Sequence, residues 1–368
     1  MPQPARAQGL LERRFFGPLL GLLALLAPAV LATWAGLVLS GWLAAATTPL
    51  GQALRSAAGG VPWLLRELLV GDYGAATMLP LLFVWTLPIV LLHAAFTAVA
   101  KASGLLDRAC TAVEPLVRPF RLTGRDVARV VMGYGCNVPA VVQGRGCLSC
   151  TRRSGSAAIA FGSACGYQLG AVLAVTSAAG HAELVPVYLL ILLLGALTCA
   201  RWMAGTSAPA GRLLVHRAPV VAPTIGDVWR ELKGPLVQMI SRVVPIFLGI
   251  TLIASMLVAL GVLDVLSAWL HPLLSILGLP AAVAPAVAAA VARKDGILLL
   301  AAPPVLATLS PGTLLAALVL ASTVLPCAVT VLTLVREHRP RAAARILAHG
   351  TVISFAVTAA IAWIARLG

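Results

Sequence analysis

The segment best suited to chemistry is a short run that combines glycines, a thiol, an amide and a proline. It reads Met132-Gly133-Tyr134-Gly135-Cys136-Asn137-Val138-Pro139-Ala140. Gly133 and Gly135 allow backbone conformations closed to other residues, and Pro139 leaves the carbonyl four residues earlier without its helical donor. We therefore expect an unwound stretch whose carbonyls, Cys136 thiol and Asn137 amide face one cavity. Such donors suit Fe(II), Zn(II) or Cu(I) better than magnesium or calcium. A kinked helix with a packed cysteine is the alternative.

Other cysteines extend this pattern. Cys147 and Cys150 have the C-x-x-C spacing of metal ligands or redox pairs. A strong prediction of a zinc site would need a second pair of cysteines with this spacing. The alternative is that these two accessory thiols are inert. Cys327 follows Pro326 inside a long uncharged run, which repeats the combination of a thiol with a broken helix. Cys327 is therefore predicted to be a ligand in a cavity.

Three charged residues interrupt an otherwise apolar region: Arg293, Lys294 and Asp295. Charges are costly in lipid, so these side chains should pair with one another or face water. We expect Asp295 to be an ion or proton site, and Lys294 to be a partner for carbonyls freed by helix breaks. A loop at the outer membrane interface is the alternative.

The composition indicates the elements that must position these groups. Of the 368 residues, 60% are hydrophobic and 11% are charged, with a mean hydropathy of +0.98, whereas a soluble domain is about 25% charged. An all-α polytopic membrane protein with seven or eight transmembrane helices is predicted. The uncharged runs long enough to cross a membrane core of about 30 Å are Phe15–Leu54, Gly74–Ala100, Ser154–Ala182, Leu184–Ala200, Val243–Leu263, Gly296–Val335 and Ile346–Ala365. An eighth run, Val265–Ala292, is interrupted by prolines and is expected to be re-entrant at least in part.

The net charge of +15 is interpreted as a signal of how the chain is oriented in the membrane. Most basic residues lie in the gaps after the second, fourth and sixth runs, and few lie in the other gaps. This asymmetry predicts a multi-pass protein of the inner (cytoplasmic) membrane with its N-terminus inside. It makes the lipid bilayer the expected partner and excludes nucleic acid.

An internal repeat relates the two halves of the chain. Ser103–Asp107 aligns with Leu260–Asp264 at an offset of 157 residues, which brings Gly135-Cys136-Asn137 onto Ala292-Arg293-Lys294. Since the two units open on opposite sides by the charge count, we predict an inverted repeat with its site near mid-membrane. Chance similarity between apolar segments is the alternative. The predicted domains are an N-terminal anchor and external segment (1–73), a first repeat (74–203), a cytoplasmic linker (204–235) and a second repeat (236–368).

Several motifs, in order from about residue 75, resemble those of the FeoB family of prokaryotic ferrous iron transporters. Gly133–Ala140 resembles the family's first Gate motif, and Ser103–Arg108 and Leu122–Arg125 are similar to the segments that precede it. Arg293–Asp295 resembles the second Gate signature, and Leu325–Cys327 is similar to the Pro-Cys of the following helix. The resemblance implies a helical transport domain that moves Fe(II) inward.

The resemblance also carries over the Cys165 position, so the predicted metal ligands are Cys136, Asn137, Cys165, Asp295 and Cys327. The chain departs from the family at Gln168 and Gly170, where arginine and proline are typical. The family usually begins with a GTP-binding domain, but G-x-x-x-x-G-K-[ST] does not occur in these 368 residues. No nucleotide cofactor is therefore expected, and a separate GTPase, a small SH3-like subunit or a homo-oligomer is a potential partner.

Two other functions are compatible with these patterns. A Gate membrane protein of the nucleoside-recognition type would move a small organic solute, which thiols serve poorly. A membrane sensor that does not transport would use the C-x-x-C pair to report metal or redox state. An enzyme is not expected, because the sequence has no Ser-His-Asp order, H-E-x-x-H motif or dinucleotide-binding loop.

Overall fold

The computed structural model of the chain describes residues 16–57, 60–71, 83–84, 87–146, 149–162, 164–204, 221–238, 240–241 and 244–367. Within these ranges every regular element is a helix, which confirms the all-α prediction. Four helices are long and apolar enough to cross a membrane, and the number is seven if each of three bent helix pairs forms one span. The described chain therefore has the helices of a polytopic membrane protein.

The N-terminal region supplies two helices, α1 (Phe16–Ala57) and α2 (Trp63–Val70). The first matches the predicted anchor span, although Phe15 lies outside the described residues. Two glycines of α1 allow a close approach to the next helices. A Cβ atom at Gly36 would lie 2.4 Å from Cγ1 of Ile89, and one at Gly21 would lie 2.8 Å from Cβ of Ala112. The anchor thus packs directly against the first repeat.

In the predicted first repeat, helices α3 (Leu87–Ala102) and α4 (Leu105–Val117) form a bent pair and meet at 87°. Gly104 occupies the bend with φ 75°, a left-handed conformation that favours glycine. A capping box of Thr123 and Asp126 then starts α5, so the break after α4 is fixed locally. The helices are α3 (Leu87–Ala102), α4 (Leu105–Val117), α5 (Gly124–Gly133), α6 (Asn137–Val142), α7 (Ser149–Gly162), α8 (Gly166–Ala178) and α9 (Leu184–Ala204).

Helix α10 (Ile225–Gln238) begins in the predicted linker (204–235) but extends past its predicted end, and it packs on α3. An ion pair between Lys101 of α3 and Glu231 of α10 joins the two helices. Residues 205–220, which precede α10, lie outside the described part of the chain.

In the predicted second repeat, helices α11 (Val244–Ala259) and α12 (Val262–Leu277) also form a bent pair, at an angle of 79°. Gly261 takes the position of Gly104, with φ 72°. The helices are α11 (Val244–Ala259), α12 (Val262–Leu277), α13 (Ala284–Ala292), α14 (Pro303–Leu306), α15 (Pro311–Thr323), α16 (Ala328–Glu337) and α17 (Pro340–Leu367).

The uncharged run Gly296–Val335 is not one continuous helix, although the bent pair α15 and α16 within it is a candidate span. Its first part is a 3-10 helix, Lys294–Ala301, followed by the short α14 and then by α15 and α16, which are bent by 41°. Prolines at 303 and 311 start new helices, because proline fits the first turn of a helix but not its interior. The eighth run, by contrast, is broken as expected, with Gly278 ending α12 at φ 73°.

Backbone angles at the four helix breaks fall into two similar pairs. Cys136 (φ −156°, ψ 132°) and Arg293 (φ −148°, ψ 138°), which the alignment places together, are both extended residues before a new helix. Cys165 (φ −57°, ψ 156°) and Cys327 (φ −58°, ψ 152°) are similar at the start of α8 and α16. This second pair lies at an offset of 162 residues instead of 157, so the predicted alignment does not place these two cysteines together.

Two apolar cores hold these breaks in place. One core is built mainly from the first repeat and α1, and the other from α8 and the second repeat. Helix α9 contributes to both, with Tyr188 and Leu192 in the second core and Ala196 and Cys199 in the first. Cys199 is buried in the first core, where it packs against apolar side chains.

Candidate functional site

The helix breaks of the two halves are in contact with one another. The backbone N–H of Gly166 donates a hydrogen bond of 3.2 Å to the carbonyl of Gly135, which joins the first two breaks. Cys136 and Cys327 pack against the same small apolar cluster. Lys294 donates hydrogen bonds to backbone carbonyls at the break before Cys327. These contacts bring together residues that are far apart in sequence.

Cys136 lines a cavity with a volume of about 570 Å³. Gly135 and Pro139 line the same end, so the break itself forms part of the wall. The other end lies between α3 and α10 and is lined by charged side chains, namely Lys101, Arg129, Arg230 and Glu231. The cavity thus connects the first break to a polar mouth.

The other predicted donors of the breaks are placed around this point. Asn137 is buried in the first turn of α6, and it is not without an interaction partner. Cys165 is half-buried before α8. The Sγ atom of Cys327 lies 3.1 Å from Oγ1 of Thr330, and Cys327 and Cys136 pack against the same small apolar cluster. Cys327 therefore shares apolar surroundings with Cys136.

Lys294 is buried and bonded to backbone oxygens. Its Nζ atom donates to the carbonyl of Ala321 at 2.9 Å and to that of Leu325 at 2.6 Å. These carbonyls lie at the break between α15 and α16, where Pro326 interrupts the helical ladder. Lys294 thus has the geometry of a partner for freed carbonyls, and it does not lie in an exposed interfacial loop.

Arg293 and Asp295 form a buried ion pair, with Nη2 of Arg293 3.0 Å from Oδ2 of Asp295. The guanidinium group also donates to the Tyr167 hydroxyl at 2.9 Å and to Oγ1 of Thr251 at 3.2 Å. Oδ1 of Asp295 is buried without a hydrogen-bond partner among the described residues. Asp295 and Tyr167 line a second cavity of about 220 Å³. Sequence reasoning missed the roles of Tyr167 and Thr251.

Gln168 belongs to a buried chain of hydrogen bonds. Its Nε2 atom donates to the Tyr188 hydroxyl at 2.7 Å, which in turn donates to Oγ of Ser322 at 2.8 Å. The chain ties α8, α9 and α15 together beside the thiols. The departure from the family at this position was visible in the sequence, but the partners were not.

Replacing Tyr188 by phenylalanine should lower the free energy of unfolding by about 1–3 kcal/mol, because both buried partners lose a hydrogen bond. Thermal unfolding of the purified protein in detergent would measure the loss. Tyr134→Phe is the matched control, since its hydroxyl has no hydrogen bond within the described chain. If the two variants are equally stable, these buried hydrogen bonds do not contribute to the stability of the protein.

The predicted ligands do not form one compact metal site in this conformation. In the part of the chain that the structure describes, no three His, Cys, Asp or Glu side chains are grouped closely enough to hold a metal ion. The Asp295 carboxylate is paired with Arg293, away from the thiols. Of the accessory thiols, Cys147 lies outside the described residues, as does the side chain of Cys150.

His93 of α3 is a further residue that sequence reasoning missed. It lies in the cavity wall near Cys136 and is 5% exposed. The only signal in the sequence was a lone histidine within the uncharged run that ends at Ala100.

Comparisons with known proteins agree with the Gate resemblance. Residues 83–179 match the Gate family model, described as nucleoside recognition; this range contains the first two breaks. The Fe(2+) transporter FeoB of Escherichia coli (strain K12) and that of Shigella flexneri are each 29% identical to the chain over 171 residues. The protein of the same name from Salmonella typhimurium is 28% identical over the same length.

These matches cover 44% of this chain and 21% of each relative, so the chain spans about a fifth of the length of the curated proteins that it matches. No solved structure matches it significantly. The expected resemblance is confirmed over the Gate region.

Proposed function

We propose that the chain is a membrane permease for Fe(II) or a related divalent metal ion. The observation that carries this proposal is that Cys136, Cys165 and Cys327 each immediately precede a new helix at a break. Similarity to Fe(2+) transporters over the Gate region supports the same conclusion. The membrane-spanning helices provide the setting that a permease requires.

The position of each thiol suits transient binding of a soft cation. A helix N-terminus carries partial positive charge and stabilises an anion, and thiolate is the form of cysteine that binds metal. Burial disfavours an uncompensated thiolate, so each thiol loses its proton as the metal arrives. Sites of this kind hold the ion only while it passes.

The two cavities suggest the path. The larger one reaches Cys136 and Gly135, and the smaller one is lined by Gly166, Tyr167 and Asp295. The hydrogen bond between Gly166 and Gly135 lies between them. Transport would require this contact to part. By the positive-inside rule, the basic mouth of the larger cavity faces the cytoplasm, and we assign the N-terminus to the same side of an inner membrane.

Uptake of Fe(II) into proteoliposomes under anaerobic conditions tests the proposal. Cys136→Ser and Cys327→Ser should each reduce the rate at least about tenfold, since an equivalent loss of transition-state stabilisation is only about 1.4 kcal/mol. Cys199→Ser is the matched control, because Cys199 lies in the apolar core away from the breaks. Unchanged uptake in both gate variants would contradict the proposal.

A second candidate is the transport of a small organic solute such as a nucleoside. The description of the matching family model favours it, and the cavity of about 570 Å³ falls within the range of small-molecule sites. Binding of a radiolabelled nucleoside in the presence of a chelator would support this candidate. Binding of Fe(II) without nucleoside binding would exclude it.

A further inference from the structure

His93 occupies a distinctive position in the larger cavity. It projects from α3, lines the cavity that also contains Cys136, and is 5% exposed. Its Nε2 atom is buried and makes no hydrogen bond to any described residue. Leaving a buried polar atom unpaired costs stability, so this nitrogen is free to accept a ligand.

The helix break is shaped around this imidazole. A Cβ atom at Gly135 would lie 2.9 Å from Nδ1 of His93 and 3.1 Å from its Cγ. Any residue larger than glycine would therefore displace the ring. Because Gly135 directly precedes Cys136, the imidazole lies against the backbone that carries the thiol.

We propose that His93 is a metal ligand that acts together with Cys136 on the side of the larger cavity. This inference rests on the proposed function and adds an imidazole donor to its thiol site. The neutral imidazole would bind through Nε2, and the Cys136 thiol would lose its proton to water as the bond to the metal forms. A nitrogen and a sulfur donor suit Fe(II), Co(II) or Zn(II).

Two protein ligands leave the remaining coordination positions to water from the cavity. A site with so few protein donors binds less tightly than a closed structural site with four. Its place next to the polar mouth lined by Lys101 and Glu231 fits a station from which the ion leaves. The pair thus accounts for both the unpaired nitrogen and the glycine beside it.

Titration of the purified full chain with Co(II) in detergent tests the proposal. The absorption band of a cobalt–thiolate bond reports Cys136, and X-ray absorption of the bound metal reports imidazole scattering. We expect His93→Gln to weaken Co(II) binding at least about 10-fold, because loss of a ligand should cost no less than loss of a group that merely orients one, and to abolish the imidazole signal. His271→Gln is the matched control, because His271 is exposed on α12.

The outcomes separate this inference from the proposed function. If His93→Gln binds Co(II) like the wild type while Cys136→Ser does not, His93 is not a ligand and the thiol site stands. If Cys136→Ser changes neither Co(II) binding nor Fe(II) uptake, the proposed function itself is wrong.

Gel filtration checks that each variant is folded. Should His93→Gln not fold, His93→Cys supplies a different ligand at the same position. It should retain binding with a stronger cobalt–thiolate band, and loss of binding in folded His93→Cys would overturn the proposal.

Discussion

Replacing Asp295 by asparagine is expected to lower the free energy of unfolding by about 3–5 kcal/mol, the typical effect of removing one partner of a buried ion pair. Arg293 is 4% exposed, so its guanidinium group would stay buried and charged while it loses the carboxylate of this ion pair. The bonds to Tyr167 and Thr251 involve neutral oxygens and do not compensate that charge. The variant should therefore unfold at a markedly lower temperature.

Gel filtration after stepwise heating in detergent would measure this change. Asp264→Asn is the matched control, because Asp264 is an exposed aspartate near the start of α12. The double variant Arg293→Gln with Asp295→Asn removes both charges and should recover part of the stability. If Asp295→Asn is as stable as the wild type but loses Fe(II) uptake, its main role is that of an ion or proton site, and the structural role is contradicted.

Replacing Lys294 by methionine should have a similar effect for a different reason. The carbonyls of Ala321 and Leu325 would both lose their donor, at a cost of about 1–3 kcal/mol for each group left unpaired. We expect the segment between α15 and α16 to lose its fixed geometry and the Cys327 thiol to lose its position. Metal uptake should therefore fall together with stability.

Two further variants complete this test with the same heating assay. Lys233→Met is the control, because Lys233 is exposed on α10. Lys294→Arg keeps the charge but not the compact shape, and should be intermediate in stability. A Lys294→Met protein as stable as the control would show that the break holds itself without the ammonium group.

The helix breaks were predictable because their causes are local. Glycine and proline act on their own backbone and on the nearest turn, so the residues around Cys136 and Cys327 indicated interruptions directly. The alignment that placed Cys136 on Arg293 used the same local signals. The backbone angles at these two residues agree within 8° in φ and 6° in ψ.

The partners of the buried polar groups were not predictable. Tyr188 and Ser322 are separated by 134 residues, and Arg293 and Tyr167 by 126, so only tertiary packing brings each pair together. The same holds for His93 and Gly135. The breaks inside the run Gly296–Val335 were missed for another reason, since hydropathy measures burial in lipid and does not show where Pro303 and Pro311 restart a helix.

The contact between Gly135 and Gly166 has an electrical consequence. If the proposed permease fills the two cavities with water from opposite sides of the membrane, most of the membrane voltage would fall across this thin backbone layer instead of across the whole bilayer. Moving one elementary charge across the full membrane voltage changes its electrical energy by about 2.3 kcal/mol per 100 mV. A divalent cation would therefore gain nearly all of its electrical driving energy in one short step past these two glycines.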